Sequence, residues 1–218
     1  DYAFLQSFID LNDCISTDNP LLLGEQDWED GRLVSFNLRG GNSDHNTSEC
    51  RDNNKISIIP DDIGNLSELR SLNFEDFDLE TGILPESIGE LTNLEGLQLN
   101  SNGLTVLPES IGNLINLTNF SAYSNNYTYV PESFGNLINL TGLTISALPE
   151  SIGNLINLNY ITMYSSSLES LPESITNLSS LEHLWIYSSN LVSLPADFGN
   201  LVNLENLYLK NGQLTSLP

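Results

Sequence analysis

The chain has very little positive charge. Its 218 residues include 6 lysines and arginines against 29 aspartates and glutamates, which gives a formal net charge of −23 at neutral pH. Nucleic acids and anionic membrane surfaces bind to positively charged proteins. The composition therefore argues against both as partners, whereas a basic partner or a salty medium is compatible with it.

The chain also lacks the residue patterns of catalytic and metal centres. Its two histidines, His45 and His183, are far apart, and no Ser-His-Asp, Cys-His or metal-ligand spacing occurs. The glycines recur within a repeat and form no phosphate-binding loop. We predict that the protein is not an enzyme and that it uses no metal or cofactor.

Long hydrophobic segments are missing as well. No apolar run approaches the ~20 residues of a membrane-spanning helix, so we predict no membrane insertion in this segment. Because the sequence begins at Asp1 without methionine, we expect any targeting segment to lie outside it.

What the chain does have is a regular spacing of prolines. Eight of them lie 25, 23, 23, 18, 23, 23 and 23 residues apart. They are Pro60, Pro85, Pro108, Pro131, Pro149, Pro172, Pro195 and Pro218. A fixed period in this range is typical of a solenoid, in which each repeat forms one coil that cannot bury its apolar side alone.

Each repeat carries an ordered set of leucines. One full repeat, residues 94–114, reads LEGLQLNSNGLTVLPESIGNL. It resembles the leucine-rich repeat family in its 23-residue form, with an LxxLxLxxNxL segment followed by LPxxIGxL. The resemblance covers roughly residues 33–218, and it implies binding to other molecules as the usual role.

The residues themselves predict a matching architecture. The alternation in Leu97-Gln98-Leu99 indicates a short strand, and stacked coils would place such strands side by side in a parallel sheet. The Pro-Glu-Ser-Ile-Gly segment predicts a helical turn, with proline at the first helical position and glycine as a left-handed stop. We therefore predict an α/β leucine-rich repeat solenoid. It would be curved, with a parallel β-sheet on the concave face, short helical turns on the convex face and an N-terminal capping helix.

The chain divides into a cap, residues 1–32, and a solenoid of about eight coils, residues 33–218. A helix over residues 2–11 would cover the open end of the first coil. Its covering face would carry Tyr2, Leu5, Phe8 and Ile9.

The order of helix, Trp28 and first strand resembles the N-terminal caps of extracellular plant-type and bacterial surface members of the family. The resemblance implies an extracellular or cell-surface location. Pro218 stands where another convex turn should begin, so we expect the natural protein to continue beyond it.

The only two cysteines, Cys14 and Cys50, both lie in the N-terminal region. A disulfide that ties the cap to the first coil is the favoured interpretation, and it would imply an oxidising, extracytoplasmic setting. Two reduced thiols are the alternative, and two cysteines are too few for a structural zinc site without further ligands. Cys50 belongs to a polar stretch, residues 40–55, that we interpret as a surface loop inserted in the first coil.

The repeat between Pro131 and Pro149 is five residues short. Either the coil is truncated or about five residues are absent from the sequence. We favour absent residues, because a five-residue cut should break the core stacking and the ladder of turn asparagines together. In the preceding coil Tyr127 replaces the equivalent of Leu104, and its ring is expected to fill part of the space beside the short coil.

The outward positions of the later strands are rich in aromatic side chains. They are Tyr160, Tyr164, His183, Trp185, Tyr187 and Tyr208. Tyr123 belongs to an earlier strand and is expected to lie further from the others. Because adjacent strands lie ~4.8 Å apart, these rings should form one patch on the concave face. Exposed aromatic clusters are typical of contact sites. The alternative is that the rings pack across neighbouring strands and only stabilise the sheet.

Three functions remain open at this point. The leading hypothesis is a non-catalytic recognition module that binds a protein partner through the aromatic concave face. The second is carbohydrate binding, in which Tyr and Trp stack on sugar rings. The third is a structural or stalk role, with the binding site in further C-terminal coils. The sequence does not indicate an oligomeric state.

Overall fold

The computed structural model describes residues 1–15, 17–40, 50, 56–79, 81–127, 129–165, 168–187, 190–210, 213–214 and 217–218. Most of the predicted polar loop 40–55, including His45, lies outside the described residues.

The described residues form one sheet of nine strands whose spatial order is the order of the chain. The strands are β1 (Glu25–Glu29), β2 (Arg32–Arg39), β3 (Ser71–Glu75), β4 (Gly96–Gln98), β5 (Asn119–Ser121), β6 (Gly142–Ile145), β7 (Tyr160–Tyr164), β8 (His183–Tyr187) and β9 (Asn206–Lys210). Strands β2 to β9 are parallel, and each coil adds one of them. This arrangement confirms the predicted solenoid with its parallel sheet.

In the regular coils a short 3₁₀ helix follows the proline on the convex side. These 3₁₀ helices are Asp61–Asn65, Glu86–Glu90, Glu109–Asn113, Glu132–Asn136, Glu150–Asn154, Glu173–Asn177 and Phe198–Asn200. A further 3₁₀ helix, Pro20–Leu22, lies in the cap. The prediction that proline takes the first helical position is wrong for the regular coils. Pro108, for example, caps its helix with φ −66° and ψ 152°, and this extended backbone precedes the turn.

The glycine of the repeat also has a different role from the predicted left-handed stop. Gly89 and Gly112 do not have the positive φ of a left-handed stop. Instead, a Cβ on Gly89 would lie 2.5 Å from both the Cβ and the carbonyl oxygen of Ser110 in the next coil. Glycine is required because successive convex turns approach each other this closely.

The core runs along the inside of the coils as stacked layers of leucine and isoleucine. One layer is fully buried through six successive coils: Leu69, Leu94, Leu117, Leu140, Leu158 and Leu181. The strands contribute a second set of buried side chains, such as Leu97 and Leu99, while the residues between them point outward. The concave face is therefore built on a rigid apolar support.

The cap closes the N-terminal end of this core. Helix α1 (Tyr2–Leu11) occupies the predicted residues, and Leu5, Phe8 and Ile9 are buried as expected. Tyr2, however, is 52% exposed, and Phe4 is buried instead. The reason is a cluster of phenylalanine rings that Phe4 completes. It packs edge-on against Phe8 and Phe36, with centroid distances of 5.9 Å and 6.4 Å.

Two further contacts tie the cap to the coils. Cys14 and Cys50 form the predicted disulfide, with a Cα–Cα distance of 4.9 Å. Asn12 is buried, and its side-chain amide donates to the carbonyl oxygens of Phe8 and Ile58. Strand β1 also pairs antiparallel with β2 and covers the sheet edge, an element that the sequence analysis did not predict.

The short coil keeps its place in the stack. Strand β6 pairs in continuous register with β5 and β7, and Ile145 and Ile152 are fully buried. The expected break in the core does not occur, because the strand and the convex turn that supply the core side chains are both present. The shortening removes the segment that elsewhere carries the turn asparagine.

Candidate functional site

The sheet register places the outward side chains of the concave face in three rows. The middle row ends with Thr162, Trp185 and Tyr208, which are aligned residue for residue on β7, β8 and β9. A second row contains Tyr160 and His183. In the third row, Tyr164 of β7 aligns with Tyr187 of β8.

Four tyrosines form a continuous line of ring contacts: Tyr123, Tyr164, Tyr187 and Tyr208. We call this line the aromatic row. It follows the third register row as far as Tyr187 and then crosses to Tyr208 in the middle row. The ring centroids are separated in turn by 5.5 Å, 4.8 Å and 5.2 Å. Tyr164 and Tyr187 are stacked at an interplanar angle of 9°. The other two pairs are tilted, and aromatic pairs at such centroid distances are favourable contacts.

Tyr123 is closer to the other rings than the sequence indicated. Tyr123 and Tyr164 belong to coils on either side of the short coil, so two strand spacings separate them. The residue between them in the repeat is Ser146, whose small side chain leaves room for the two rings to meet at 5.5 Å. Burial and, after it, the carboxylate of Glu75 raise the pKa of Tyr123 above its ordinary value of 10.0.

Trp185 and His183 form a second aromatic pair beside the row. Their rings are stacked at 20° with centroids 5.9 Å apart. The amide of Asn206 lies 2.9 Å from Nδ1 of His183, and because an amide nitrogen can only donate, Nδ1 is the acceptor. Trp185 is 39% exposed, Tyr164 44% and Tyr208 45%.

Tyr160 is arranged differently from the other predicted residues. Its ring lies across Gly142 of the preceding strand, and its hydroxyl bonds to Oδ1 of Asn119 at 3.0 Å. The sequence analysis did not single out Gly142 or Asn119 for this role. A glycine at an outward strand position next to a tyrosine is the signal that would have identified the contact.

Three arginines in the described part of the first coils form ion pairs. Arg39 pairs with Glu75, Arg70 pairs with Glu29 at 3.0 Å, and Arg32 pairs with Asp1 at 3.0 Å. Within the described part of the chain, no group of three or more His, Cys, Asp or Glu side chains is placed to hold a metal ion. Among the same residues, no helix is both long enough and apolar enough to span a membrane.

A family model described as "leucine-rich repeat region" matches residues 46–151. The match covers just under half of the chain, and together with the coils and the leucine layers it supports the leucine-rich repeat family. The chain is a leucine-rich repeat solenoid. The fold and the repeat family predicted from the sequence are thereby confirmed. Members of this family are generally protein-binding scaffolds without enzymatic activity.

Solved structures of other leucine-rich repeat proteins share the fold. A leucine-rich repeat protein of Leptospira interrogans is 32% identical over 74% of this chain, with a TM-score of 0.67. The leucine-rich repeat domain of the type III effector XopL is 27% identical, and the match covers 87% of this chain and 72% of that domain, with a TM-score of 0.61.

A plant peptide hormone receptor, RGFR1, in complex with RGF2, is 28% identical over 82% of this chain and 31% of its own, with a TM-score of 0.55. This leucine-rich repeat chain spans 42% of the length of the Leptospira protein. No curated protein sequence matches it.

Proposed function

We propose that this leucine-rich repeat protein binds a protein partner through its concave face, with the aromatic row and Trp185 as the main contact. The observation that carries the proposal is the unbroken line of rings from Tyr123 to Tyr208, which ends beside a Trp185 that is 39% exposed. Tyrosine and tryptophan dominate the energetics of protein interfaces because they supply a large contact area at low conformational cost.

Ring orientation favours a protein over a carbohydrate. A sugar ring binds by laying its C–H groups on an exposed aromatic face. Tyr164 and Tyr187 use faces to stack on each other, and so do His183 and Trp185. One face of each of these four rings is therefore already used within the protein, which leaves less aromatic face for a sugar, whereas ring edges and hydroxyls suit the mixed polar and apolar surface of a protein.

Charge indicates the kind of protein partner. The chain carries a formal charge of −23, and three of its arginines are already paired with carboxylates. A partner with a basic surface would be attracted over a distance, and its lysines or arginines would meet aromatic rings at close range. We expect association to slow as the salt concentration rises.

The proposed location is extracellular or on the cell surface. The disulfide between Cys14 and Cys50 supports it, because disulfides persist in oxidising compartments. The similarity to a plant peptide hormone receptor supports it as well.

The decisive test compares two double variants of the same sheet. Trp185→Ala/Tyr187→Ala removes the centre of the aromatic surface, while Asn73→Ala/Gln98→Ala makes an equal number of truncations on β3 and β4. Proteins captured by the wild-type chain from its native extracellular milieu would be identified, and each would be titrated as a purified protein by calorimetry. We expect the first variant to lose at least about tenfold in affinity, as truncation of hot-spot aromatics does, and the second to bind like the wild type.

Two outcomes would contradict the proposal. A glycan array that shows binding lost in Trp185→Ala, with no protein partner, would favour the carbohydrate function. If Trp185→Ala/Tyr187→Ala behaves like the wild type in every assay, the concave aromatic surface is not the binding site and the stalk function is favoured.

A further inference from the structure

The short coil leaves a notch in the edge of the solenoid. The segment that follows β6 consists of little more than Ser146 and Ala147 before the next convex turn begins. The loops of the coils before and after it are longer and form the walls. The notch has a volume of about 790 Å³ and opens to solvent. This volume lies within the range of protein ligand sites.

Two hydroxyl groups in this notch have no hydrogen-bond partner among the described residues. The oxygens of Tyr127 and Ser146 are shielded from solvent, and neither bonds to any residue that the structure describes. Both residues line the same notch. Native proteins leave few buried polar groups unpaired, because each costs free energy. Seven buried polar atoms of the described residues lack a partner, and two of them border this one cavity, where a bound ligand would supply the missing hydrogen bonds.

The other polar groups of the notch limit the chemistry of that ligand. Asn125 is already occupied: its amide donates to the carbonyl oxygens of Leu99 and Ala122, and its Oδ1 accepts from Leu104 and Asn102. Glu169 contributes an exposed carboxylate, and none of the described lining residues is basic. The unused hydroxyls can donate or accept, and the only formal charge among the described lining residues is the carboxylate of Glu169, so the notch suits a guanidinium or an ammonium group better than an anion.

The notch is continuous with the aromatic row. Tyr164 lines the notch, and its ring also contacts Tyr123 at 5.5 Å and Tyr187 at 4.8 Å. A chain segment that lies along the row would therefore pass the mouth of the notch. A cation entering there would also meet the electron-rich ring of Tyr164.

We propose that the notch is an anchor pocket for an arginine or lysine side chain of the protein partner. This proposal rests on the function proposed above for the aromatic row, and it adds a specific residue class that the partner must present. Glu169 would pair with the cation, and the hydroxyls of Tyr127 and Ser146 would accept its remaining hydrogen bonds.

The test uses small probes and the full chain, so that it does not require the partner. N-acetyl-arginine amide and N-acetyl-lysine amide would be titrated against ¹⁵N-labelled protein, with N-acetyl-citrulline amide as the uncharged control. We expect saturable shifts of the backbone amides of Tyr127, Ser146 and Glu169 with the arginine probe, and an affinity about fivefold weaker for the citrulline probe, as the loss of one exposed charge pair implies.

Two variants separate a specific pocket from general attraction to an acidic protein. Glu169→Gln removes the carboxylate of the notch, and Glu150→Gln makes an identical charge change on the convex side. We expect Glu169→Gln to bind the arginine probe about fivefold more weakly than the wild type. Glu150→Gln should bind it with unchanged affinity. Tyr127→Phe removes one acceptor and should weaken binding further in combination with Glu169→Gln. Because this substitution deletes only an unpaired oxygen, the variant remains folded.

The proposal is wrong if the shifts are spread over the acidic surface and are equal in Glu169→Gln and Glu150→Gln. It is also wrong if the citrulline probe or a neutral disaccharide binds as well as the arginine probe. These results would leave the Trp185→Ala/Tyr187→Ala test of the aromatic row untouched. Conversely, wild-type partner binding by that double variant would overturn the proposed function even if the arginine probe binds in the notch.

Discussion

The ring of Tyr160 occupies the space beside Gly142 that a side chain on residue 142 would fill. The two residues are aligned on the neighbouring strands β6 and β7, and the ring continues past Gly142 to reach Asn119 on β5. One aromatic side chain thus bridges three strands, and glycine at position 142 is what permits it.

We predict that Gly142→Val displaces this ring. A Cβ at residue 142 would overlap the ring of Tyr160, so the 3.0 Å hydrogen bond to Asn119 is lost. The free energy of unfolding should fall by about 1 kcal/mol, the usual value of one such bond. Gly96→Val is the matched control, because a Cβ there would meet only Ser71 Oγ at 3.9 Å. Chemical denaturation checks both variants, and equal stabilities would contradict the predicted contact.

We predict that Tyr127→Phe stabilises the protein. The hydroxyl of Tyr127 is shielded from solvent and has no partner among the described residues, so its removal relieves an uncompensated desolvation cost of about 1 kcal/mol. Tyr2→Phe is the control, since Tyr2 is 52% exposed and its stability effect should be near zero. A loss of unfolding free energy in Tyr127→Phe would show that the hydroxyl has an unrecognised partner.

The same hydroxyl should make the protein sensitive to alkaline pH. Burial raises the pKa of Tyr127 above its ordinary value of 10.0. Below pH 10 the phenol is neutral in both states. Above pH 10 the unfolded chain loses a proton that the folded protein keeps, so stability falls as the pH rises. Above pH 10 we expect the free energy of unfolding of the wild type to fall by about 1.4 kcal/mol per pH unit relative to that of Tyr127→Phe. Urea unfolding of both proteins between pH 8 and 11 measures this difference. A difference that stays constant with pH would contradict the prediction.

Asn102 is predicted to be the most sensitive polar residue of the ladder. It is fully buried, its Oδ1 accepts from the backbone N–H of Phe77, and its amide donates to the carbonyl oxygen of Phe74, both at 3.0 Å. Asn102→Ala leaves two buried backbone groups unpaired, which should cost about 2 kcal/mol or more. Asn93→Ala, which removes one exposed bond to Ser67, should cost less than about 1 kcal/mol. Thermal and urea unfolding would reveal whether the two differ as expected.

Loss of the disulfide should loosen the cap. Cys14 and Cys50 are 36 residues apart, and the chain-entropy model assigns a loop of that length a stabilisation of about 3 to 4 kcal/mol. We expect Cys14→Ala/Cys50→Ala to lower the free energy of unfolding by that amount, and the reduced wild type to match it. Hydrogen exchange of helix α1 would increase first. Unchanged exchange in α1 would mean that packing of Phe4 and Phe8 alone holds the cap.

The coil could be predicted from the amino-acid sequence alone, because its signals are local and repeated. The proline period marked each convex turn, the alternation around Leu97 marked each strand, and helix α1 was predicted at its observed residues. The outward positions of the strands also followed, since the side-chain period of a strand is two. Repetition makes such predictions strong because one register error would have to recur in every coil.

The tertiary structure decided whatever depends on distances between coils. The role of Gly89 follows from the close approach of Ser110, and Phe4 replaced Tyr2 because phenylalanine rings from several elements meet there. The contact of Tyr123 with Tyr164 arises because the side chain between them, Ser146, is small, and the notch arises because the coil that carries Ser146 is shortened. Periodicity fixes which way a side chain points, whereas the space it enters is set by neighbours that are distant in the chain.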